Sequence, residues 1–279
     1  MRLVVQGSAI RHAHLAHIHQ LSATSVQFVQ TGAHAYYLAN QTQALPAVQA
    51  FCAEQHFDCS YLPDQQVMAK FGLCVMDMDS TLISIECIDE IADMVGIKPE
   101  VAAITERAMQ GELDFAQSLR QRVALLKGLS EADLMRVLNE RLTLNPGAME
   151  WIAACKKNNI TTLLVSGGFT FFADKVKAML GLDYAVSNQL EIVDGKLTGG
   201  IIGDIVDAQR KADELCQLRD RLGLTAAQTI AIGDGANDLK MMGVAGIGVA
   251  YHAKPIVQTQ ATYALNHSGL DGVMHLLST

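Results

Sequence analysis

Residues Val75 to Leu82 read VMDMDSTL, an apolar run that ends in two aspartates one residue apart. The apolar residues predict a buried strand, and the carboxylates of Asp77 and Asp79 stand where that strand ends. Like charges this close repel each other, and each carboxylate costs desolvation free energy unless something compensates it. A turn, a cation site or a reactive pair of carboxylates would each account for the arrangement.

The composition of the 279-residue chain indicates a folded protein with a sizeable core, because 50% of its residues are hydrophobic and 18% are charged. The net charge of −8 argues against nucleic acid or an anionic membrane as a partner. No apolar run approaches the ~20 residues of a membrane span, and the first residues lack the pattern of a signal peptide. The six cysteines are scattered without a CxxC pair, so we expect reduced thiols in a cytoplasmic protein.

Two different patterns divide the chain near residue 70. Over residues 1–70, the strand-like runs RLVVQ, SVQFV, AYYLA and FDCSYL and two helical segments, 9–21 and 47–56, follow the order β-α-β-β-α-β. That order predicts a small ferredoxin-like α+β domain. Over residues 71–279, the apolar runs LCVM, TTLLVS, TIAIG and GIGVA alternate with helical stretches. This alternation predicts an α/β domain with a Rossmann-like, doubly wound parallel sheet.

The second domain contains two departures from simple alternation. A helical stretch over approximately 85–145 separates LCVM from TTLLVS and has no strand candidate. It is too long for a simple crossover, so we predict a helical cap inserted beside the sheet. Further along, the segment LEIVDGKLTG predicts a β-hairpin with a tight turn at Asp194 and Gly195.

Residues suited to phosphate chemistry stand at four points close to the predicted parallel strands. Ligands bind at the carboxyl ends of the strands in open α/β sheets, so these four points are expected to converge on one site. Taken singly, each has a more ordinary explanation, such as a turn, a helix cap, a flexible loop or a solvated lysine. The four points are the pair Asp77 and Asp79, the triplet Ser166-Gly167-Gly168, Lys211, and the segment GDGAND at 233–238.

These residue types suit the transfer of a phosphoryl group. A hard divalent cation such as Mg²⁺ can hold two neighbouring carboxylates ionised, and Asp234 offers a further oxygen ligand. A carboxylate so placed can attack phosphorus to form an aspartyl phosphate, and a second carboxyl can protonate the leaving alkoxide and later take a proton from water. Charge on the phosphoryl oxygens would be neutralised by the Ser166 hydroxyl, the Gly167 amide and the Lys211 ammonium.

The motifs DMDST, SGG, the lysine in RKADEL, and GDGAND resemble the four ordered motifs of the haloacid dehalogenase superfamily of phosphotransferases. The longer stretches DMDSTLISIECIDEIA, GELDFAQSLRQRVALLKGL and LVSGGFTFF resemble the branch of that superfamily that hydrolyses O-phosphoserine. The similarity covers the chain from Leu73 to the C terminus. It implies a Mg²⁺-dependent hydrolase that releases serine and inorganic phosphate through an aspartyl-phosphate intermediate, as the last step of serine biosynthesis.

The resemblance also implies a role for each matching residue. Asp77 is the nucleophile and Asp79 the general acid and base, with Lys211 as the third catalytic residue. Mg²⁺ is bound by the Asp77 side chain, the Asp79 backbone carbonyl and Asp234, with Asp238 supporting the site. The implied substrate-binding residues are Glu86, Met109, Phe115, Arg122, Ser166, Gly167, Lys211 and Asn237.

Glu86 and Arg122 also make chemical sense as a pair that recognises a free amino acid. Such a substrate carries one cation and one anion, and in this assignment Glu86 holds the amino group and Arg122 the carboxylate. Arginine can bind a carboxylate through two parallel hydrogen bonds, which makes it well suited to that position.

The N-terminal domain resembles the ACT-like domains that precede some enzymes of the same branch, and we predict no chemistry for it. Its first helix carries four histidines in RHAHLAHIHQ, which we interpret as a polar face and not as a metal site. These histidines are His12, His14, His17 and His19.

Two other functions remain open from the sequence. One is a phosphatase of the same superfamily that acts on another small phosphomonoester, such as phosphothreonine or a phosphosugar. The other is a non-catalytic amino-acid sensor, although such a protein would be expected to have lost Asp77, Asp79 or Lys211, and all three are present. The sequence does not settle the oligomeric state, and a homodimer is open.

Overall fold

The N-terminal part of the chain forms an antiparallel sheet of four strands covered by two helices. Its elements are β1 (Arg2–Gln6), α1 (His12–Leu21), β2 (Val29–Gly32), β3 (Ala35–Leu38), α2 (Pro46–Glu54) and β4 (Asp58–Leu62). The computed structural model, which describes residues 1–278, gives the sheet the order β2-β3-β1-β4. Successive residues of β1 face opposite sides of the sheet. Leu3 and Val5 pack with α1 and α2, whereas Val4 packs with the core of the following part.

The strand predicted at SVQFV is wrong in position, because β2 begins only at Val29. The apolar residues Val26 and Phe28 lie before the strand and are partly buried against the cluster formed by β1, α1 and α2. The carbonyl of Val26 accepts a hydrogen bond from His19 Nε2 at 2.8 Å. The alternating pattern therefore reflects the packing of an irregular segment. In this segment the Val26 carbonyl is bonded to a side chain and not to a neighbouring strand.

The remainder of the chain is built on a seven-stranded sheet of order β11-β10-β9-β5-β6-β7-β8. All neighbouring pairs are parallel except β7 and β8, so the predicted parallel α/β sheet is confirmed. Every residue of β5, β9 and β10 is buried, as expected for strands covered on both faces. The strands are β5 (Leu73–Met76), β6 (Thr161–Phe169), β7 (Tyr184–Val193), β8 (Lys196–Ile202), β9 (Thr229–Gly233), β10 (Ile247–Tyr251) and β11 (Tyr263–Leu265).

Five helices lie between β5 and β6. The first four form the predicted helix-rich stretch. They are α3 (Cys87–Met94), α4 (Lys98–Met109), α5 (Phe115–Ala124) and α6 (Glu131–Glu140). Side chains cap two of them, since Asp114 accepts a hydrogen bond from the Gln117 amide of α5 and Ser130 accepts one from the Asp133 amide of α6. We call these four helices the cap.

The predicted hairpin is confirmed and it supports the cap. Strands β7 and β8 are joined by Asp194 and Gly195, which have φ angles of 49° and 71°. Two positive φ values in a two-residue loop are typical of the turns that match the twist of paired strands. Leu197 in β8 exchanges backbone hydrogen bonds with the cap, donating to Leu129 and accepting from Gly128, both at 2.8 Å.

Helices cover both faces of the large sheet. On one face, α9 and α10 pack against Leu73 and Val75 of β5; on the other, α7 and α8 pack in the cluster that contains Cys74 and Met76. These core helices are α7 (Ala148–Lys157), α8 (Thr170–Leu180), α9 (Ala208–Arg221), α10 (Leu239–Val244), α11 (Pro255–Gln260) and α12 (Asp271–Leu276). Within residues 1–278, we find no helix long and apolar enough to cross a bilayer.

Candidate active site

A cavity of about 570 Å³ opens between the cap and the carboxyl ends of the central strands. Parallel strands point their carboxyl ends to one edge of a sheet, which is why residues distant in sequence meet there. The structure brings together residues from all four predicted motifs at this place, with Lys211 contacting Asp77 from behind the cavity wall. The sequence-predicted residues that line the cavity are Asp77, Asp79, Glu86, Phe115, Arg122, Ser166, Gly167, Asp234 and Asn237.

Asp77 continues the line of β5 and is held rigidly. Its backbone N–H donates to Ile232 in β9 at 3.0 Å, and its Oδ1 accepts from the Met78 amide at 2.7 Å. The residue is 5% exposed, so a carboxylate here is almost removed from water. Its second oxygen, Oδ2, lies 2.7 Å from the ammonium of Lys211.

The chain does not continue as an extended strand after Asp77. Met78 to Leu82 form a single wide turn closed by a hydrogen bond from Ile83 N–H to the Met78 carbonyl at 3.0 Å. Ser80 adopts a left-handed φ of 55°, which a non-glycine residue adopts only at some cost in free energy. The turn gives Asp79 surroundings of its own, different from those of Asp77.

Burial raises the pKa of Asp79 well above its usual value, and the negative charges of Glu86 and Asp77 raise it further. Its Oδ1 is buried and has no hydrogen-bond partner among the described residues. These surroundings favour the protonated form of the carboxyl group. It can therefore donate a proton, which an ionised carboxylate cannot do.

Lys211 is the buried cation of the site. It lies in the first turn of α9, where Asp207 caps the helix by accepting from the Arg210 amide at 2.8 Å. Its side chain is 1% exposed, and its ammonium donates to Asp77 Oδ2 at 2.7 Å and to Asp238 Oδ1 at 2.8 Å. Burial alone would lower the pKa of Lys211, but the two carboxylates overcome this effect and raise it. The lysine is thus held charged beside the oxygen of Asp77.

Three carboxylates, Asp77, Asp234 and Asp238, lie close enough to share a cation, with one oxygen of each within 4.8 Å of the others. Hard oxygen ligands of this kind fit a Mg²⁺ ion. Asp238 is already engaged, however, since its Oδ1 accepts from Lys211 at 2.8 Å and its Oδ2 from the Gly235 amide at 3.0 Å. Both oxygens of Asp77 are engaged as well, by the Met78 amide and by Lys211, so Asp234 is the carboxylate of the three with the fewest hydrogen-bond partners.

Asp234 has fewer hydrogen-bond partners than Asp238, the other carboxylate beside Asp77. The Thr81 hydroxyl donates to its Oδ1 at 3.2 Å. Burial and the charges of Asp77 and Glu86 raise the pKa of Asp234 to about 6. A divalent cation would relieve this repulsion, which agrees with the fit of the donor set.

The SGG triplet lies within β6 and not in a loop after it, because the strand runs on to Phe169 with an irregular register after Val165. The buried Ser166 hydroxyl accepts a hydrogen bond from the Gly168 amide at 2.9 Å. The carbonyl of Gly167 accepts from Asn188 Nδ2 at 2.7 Å, while Asn188 Oδ1 accepts from the Val206 amide at 2.8 Å. Asn188 fixes the Gly167 peptide, and nothing in its ordinary strand sequence pointed to this role.

The cap supplies the other end of the cavity. Glu86 precedes α3 and accepts a hydrogen bond from the Ser80 hydroxyl at 2.7 Å. Burial lowers the pKa of Arg122, whereas the charges of Asp89 and Glu86 raise it, and the buried Nε of Arg122 has no partner among the described residues. An unpaired guanidinium nitrogen in a cavity wall is suited to bind an anionic ligand group.

Two apolar cap residues differ in position. Phe115 lies so close to Gly167 that a Cβ atom on that glycine would approach its ring to 2.9 Å. Met109 ends α4 with 70% of its surface exposed, and it is not among the residues that line the cavity. The structure therefore brings Phe115, but not Met109, to the site.

The wall residues that were not singled out from the sequence include three polar ones outside the four motifs. They are Asp89, Thr105 and Lys254. Asp89 is three residues after Glu86 in α3, a helical spacing that places both carboxylates on one face and that was available as a signal. Lys254 follows β10 in a segment without a recognised motif.

Three of the four histidines of α1 have ordinary structural partners. His14 and His17 pack against aromatic rings of Phe51 and Phe57, and His19 binds the Val26 carbonyl. The cluster of metal-ligand groups found among residues 1–278 is the aspartate group of the cavity.

The parallel α/β fold and the cluster of aspartates with a buried lysine are typical of a hydrolase that acts on phosphate esters, and comparison with known proteins agrees with this class. The family of haloacid dehalogenase-like hydrolases matches residues 74–243. The chain belongs to that family.

Within that family, the chain is similar to phosphoserine phosphatases. The phosphoserine phosphatase of Polaromonas sp. is 55% identical over 215 residues, which are 75% of this chain and 91% of the relative. The crystal structure of a probable phosphoserine phosphatase from Vibrio cholerae, in an unliganded form, superposes with a TM-score of 0.88 and 41% identity, covering 99% of this chain and 86% of that one. A structure of a phosphoserine phosphatase with an analogue of the phospho-aspartyl intermediate gives a TM-score of 0.69 at 39% identity, covering 75% of this chain and 99% of the other.

Proposed function

We propose that the protein is a phosphoserine phosphatase, which hydrolyses O-phosphoserine to serine and inorganic phosphate. One observation carries the proposal. A single cavity is lined by Asp77, which is ion-paired with Lys211 behind the wall, and by Glu86 and Arg122, whose charges are complementary to those of a free amino acid. The close similarity to curated phosphoserine phosphatases supports the same substrate.

In the proposed first step, a carboxylate oxygen of Asp77 attacks phosphorus and the bond between phosphorus and the serine oxygen breaks. Asp79 gives its proton to the leaving serine alkoxide. In the second step, water attacks the phosphorus of the aspartyl phosphate, Asp79 takes a proton from that water, and phosphate leaves with Asp77 restored. The two-step route divides one difficult hydrolysis into two easier displacements.

Charge on the phosphoryl oxygens is neutralised by groups already in place. Lys211 is fixed by Asp77 and Asp238, so its ammonium needs no rearrangement during the reaction. Ser166 and the Gly167 amide lie on the same wall. A Mg²⁺ ion held by Asp77, the Asp79 carbonyl and Asp234 would supply further positive charge for the phosphoryl group.

Substrate choice is assigned to the cap end of the cavity. Arg122 binds the substrate carboxylate, and Glu86, held by Ser80, binds the ammonium. The Phe115 ring closes the wall against Gly167 and limits the space for larger alcohols. A phosphosugar would leave both charged groups without partners, which is costly in a partly buried site.

The N-terminal part is proposed as an ACT-like, ferredoxin-like domain over 1–70, followed by the phosphatase domain over 71–279. The element order β-α-β-β-α-β and the antiparallel strand order support this division. The homodimer and the cytoplasmic location stay predictions from the sequence.

The test is phosphate release from O-phosphoserine, phosphothreonine, a phosphosugar and an aryl phosphate, each with and without Mg²⁺, using Asp77→Asn as the inactive reference. We expect phosphoserine to be preferred, Mg²⁺ to be required, and the variant to lose activity on the order of 10⁴-fold. Equal use of all four monoesters would contradict the substrate assignment. Near-normal turnover by the variant would contradict the nucleophile.

A further inference from the structure

The walls of the cavity are unbalanced in charge. They include five carboxyl groups, those of Asp77, Asp79, Glu86, Asp89 and Asp234, but the only cationic side chains among the lining residues are Arg122 and Lys254. The nearby ammonium of Lys211 is bound on both sides by carboxylates. A Mg²⁺ ion held by Asp77 and Asp234 would offset two of these negative charges. A phosphomonoester adds two more on its phosphate, so a free cation at the cavity would favour its entry.

The backbone of Lys254 is fixed at the edge of the cavity. Its N–H donates to the Asp234 carbonyl at 3.2 Å, and its own carbonyl accepts from Val257 and Gln258 at the start of α11. Pro255 follows and favours the extended conformation seen at Lys254, which has φ −61° and ψ 148°. The residue therefore stands at a set distance from Asp234.

The ammonium group of Lys254 is available to bind an anionic ligand. Lys254 is exposed, and among residues 1–278 its ammonium has no hydrogen bond or ion pair within contact distance. Its charge reaches into the site, since it lowers the pKa of Glu86 while burial raises that pKa. Lys254 lines the cavity wall together with the carboxylates of Glu86 and Asp234.

We infer that Lys254 is a further substrate-binding residue whose ammonium attracts the phosphate group of the substrate into the cavity. This inference rests on the proposed phosphomonoester chemistry, but not on serine as the alcohol. Lys254 contacts the incoming phosphate, and Lys211 then holds the phosphoryl group at Asp77.

The test compares wild type with Lys254→Met, Lys254→Arg and the matched control Lys240→Met. Lys240 is an exposed lysine on α10, outside the cavity, that contacts Gln209. The first readout is the dissociation constant of inorganic phosphate, measured by calorimetry in the presence of Mg²⁺. Loss of an attracting charge at the rim of a site mainly slows association. We therefore expect phosphate to bind Lys254→Met about tenfold more weakly, Lys254→Arg within about threefold of wild type, and Lys240→Met unchanged.

The second readout is the steady-state kinetics of phosphoserine and an aryl phosphate at several ionic strengths. Lys254→Met should raise KM about tenfold for both substrates with kcat within about twofold, and its kcat/KM should depend less on salt than that of wild type. Unchanged phosphate affinity in Lys254→Met, or an equal loss in Lys240→Met, would overturn the inference. If wild type binds phosphate but hydrolyses aryl phosphate in preference to phosphoserine, the proposed substrate fails while the role of Lys254 is still decided by the calorimetry.

Discussion

Asp77 and Asp79 are two residues apart in the chain, but they have different partners. Asp77 is ion-paired with Lys211 at 2.7 Å and accepts a hydrogen bond from the Met78 amide. Asp79 lies in the turn after the strand, where its buried Oδ1 lacks a partner and its pKa is raised by burial. Two carboxyl groups separated in this way suit a nucleophile and a proton donor.

Asp79→Asn is expected to slow phosphoserine hydrolysis by about 10²–10⁴-fold, because the variant cannot protonate the serine alkoxide. An aryl phosphate has a good leaving group that needs no proton, so the first step should survive. We expect a burst of about one phenol per active site followed by slow turnover, measured by stopped-flow absorbance. A variant without a burst on the aryl substrate would contradict the assignment of Asp79.

The same substitution has an expected effect on stability. The pKa of Asp79 is higher in the folded protein than in the unfolded chain. At low pH the carboxyl group is protonated in both the folded and the unfolded state, so it does not change the free energy of unfolding there. As the pH rises above the unfolded pKa, only the unfolded chain ionises, so wild type loses stability until the folded pKa is passed. Without Mg²⁺, Asp79→Asn should therefore melt higher than wild type at pH 7.5, and the difference should shrink towards pH 4.

Arg122→Ala is expected to lower kcat/KM for phosphoserine about 10²–10³-fold, because a charge-assisted, bidentate hydrogen bond to the substrate carboxylate is lost. Use of an aryl phosphate, which has no carboxylate, should stay within about threefold of wild type. The control is Arg120→Ala, an exposed arginine on the same helix α5. Equal losses on both substrates would show that Arg122 only supports the cap.

At the scale of secondary-structure elements, the end of β6 and the turn after β5 lie close together at Gly168. A Cβ atom there would lie 3.0 Å from Met78 Cε and 3.1 Å from both Asp79 Oδ2 and Ser166 Oγ. The glycine is thus needed for close approach and not for an unusual backbone angle. The strand end and the turn together fix where the proton donor stands.

Gly168→Ala should lower kcat about tenfold, because displacement of the Asp79 carboxyl by a few tenths of an ångström misaligns the proton transfer. Stability should fall by about 1–2 kcal/mol from overpacking. The control is Gly243→Ala in α10, where a Cβ meets nothing within 4 Å and should leave activity unchanged. Steady-state kinetics and thermal melting check both variants, and normal kcat in Gly168→Ala would refute the crowding argument.

At the scale of the whole molecule, the N-terminal sheet is joined to the phosphatase part by buried polar contacts. The carboxylate of Asp58 at the start of β4 accepts from the backbone amides of Asn266, His267 and Ser268, the shortest at 2.6 Å. Arg2 donates to the Leu276 carbonyl at 3.1 Å. Apolar residues of both parts also share one core cluster, in which Val4 and Leu62 occur with Val273, Leu276 and Leu277. The two parts are therefore expected to unfold together.

Asp58→Ala is expected to destabilise the protein by about 2–4 kcal/mol, because three amides near the interface lose a charged acceptor. Urea unfolding followed by circular dichroism measures the change. Asp64→Ala, which removes an exposed carboxylate from the same segment, should cost less than about 1 kcal/mol. A loss of equal size in the two variants would show that Asp58 does not join the two parts.

The sequence by itself determined the large sheet, the hairpin and most of the site. Long apolar runs favour buried parallel strands wherever they stand, and the turn residues Asp194 and Gly195 act through local backbone preferences. Strand ends in a parallel sheet must meet at one edge, so Asp77, Ser166 and Asp234 were predictable as neighbours.

Only the tertiary structure decided the rest. The wide turn at Asp79, the binding of Asp238 by Lys211, the support of Gly167 by Asn188 and the place of Lys254 all depend on contacts between distant segments. The same holds for the outward position of Met109 and the irregular segment before β2. The local sequence pattern shows which face of a helix or strand is apolar. The burial of a side chain, its pKa and its hydrogen-bond partners depend on the distant segments that the folded chain packs against that face.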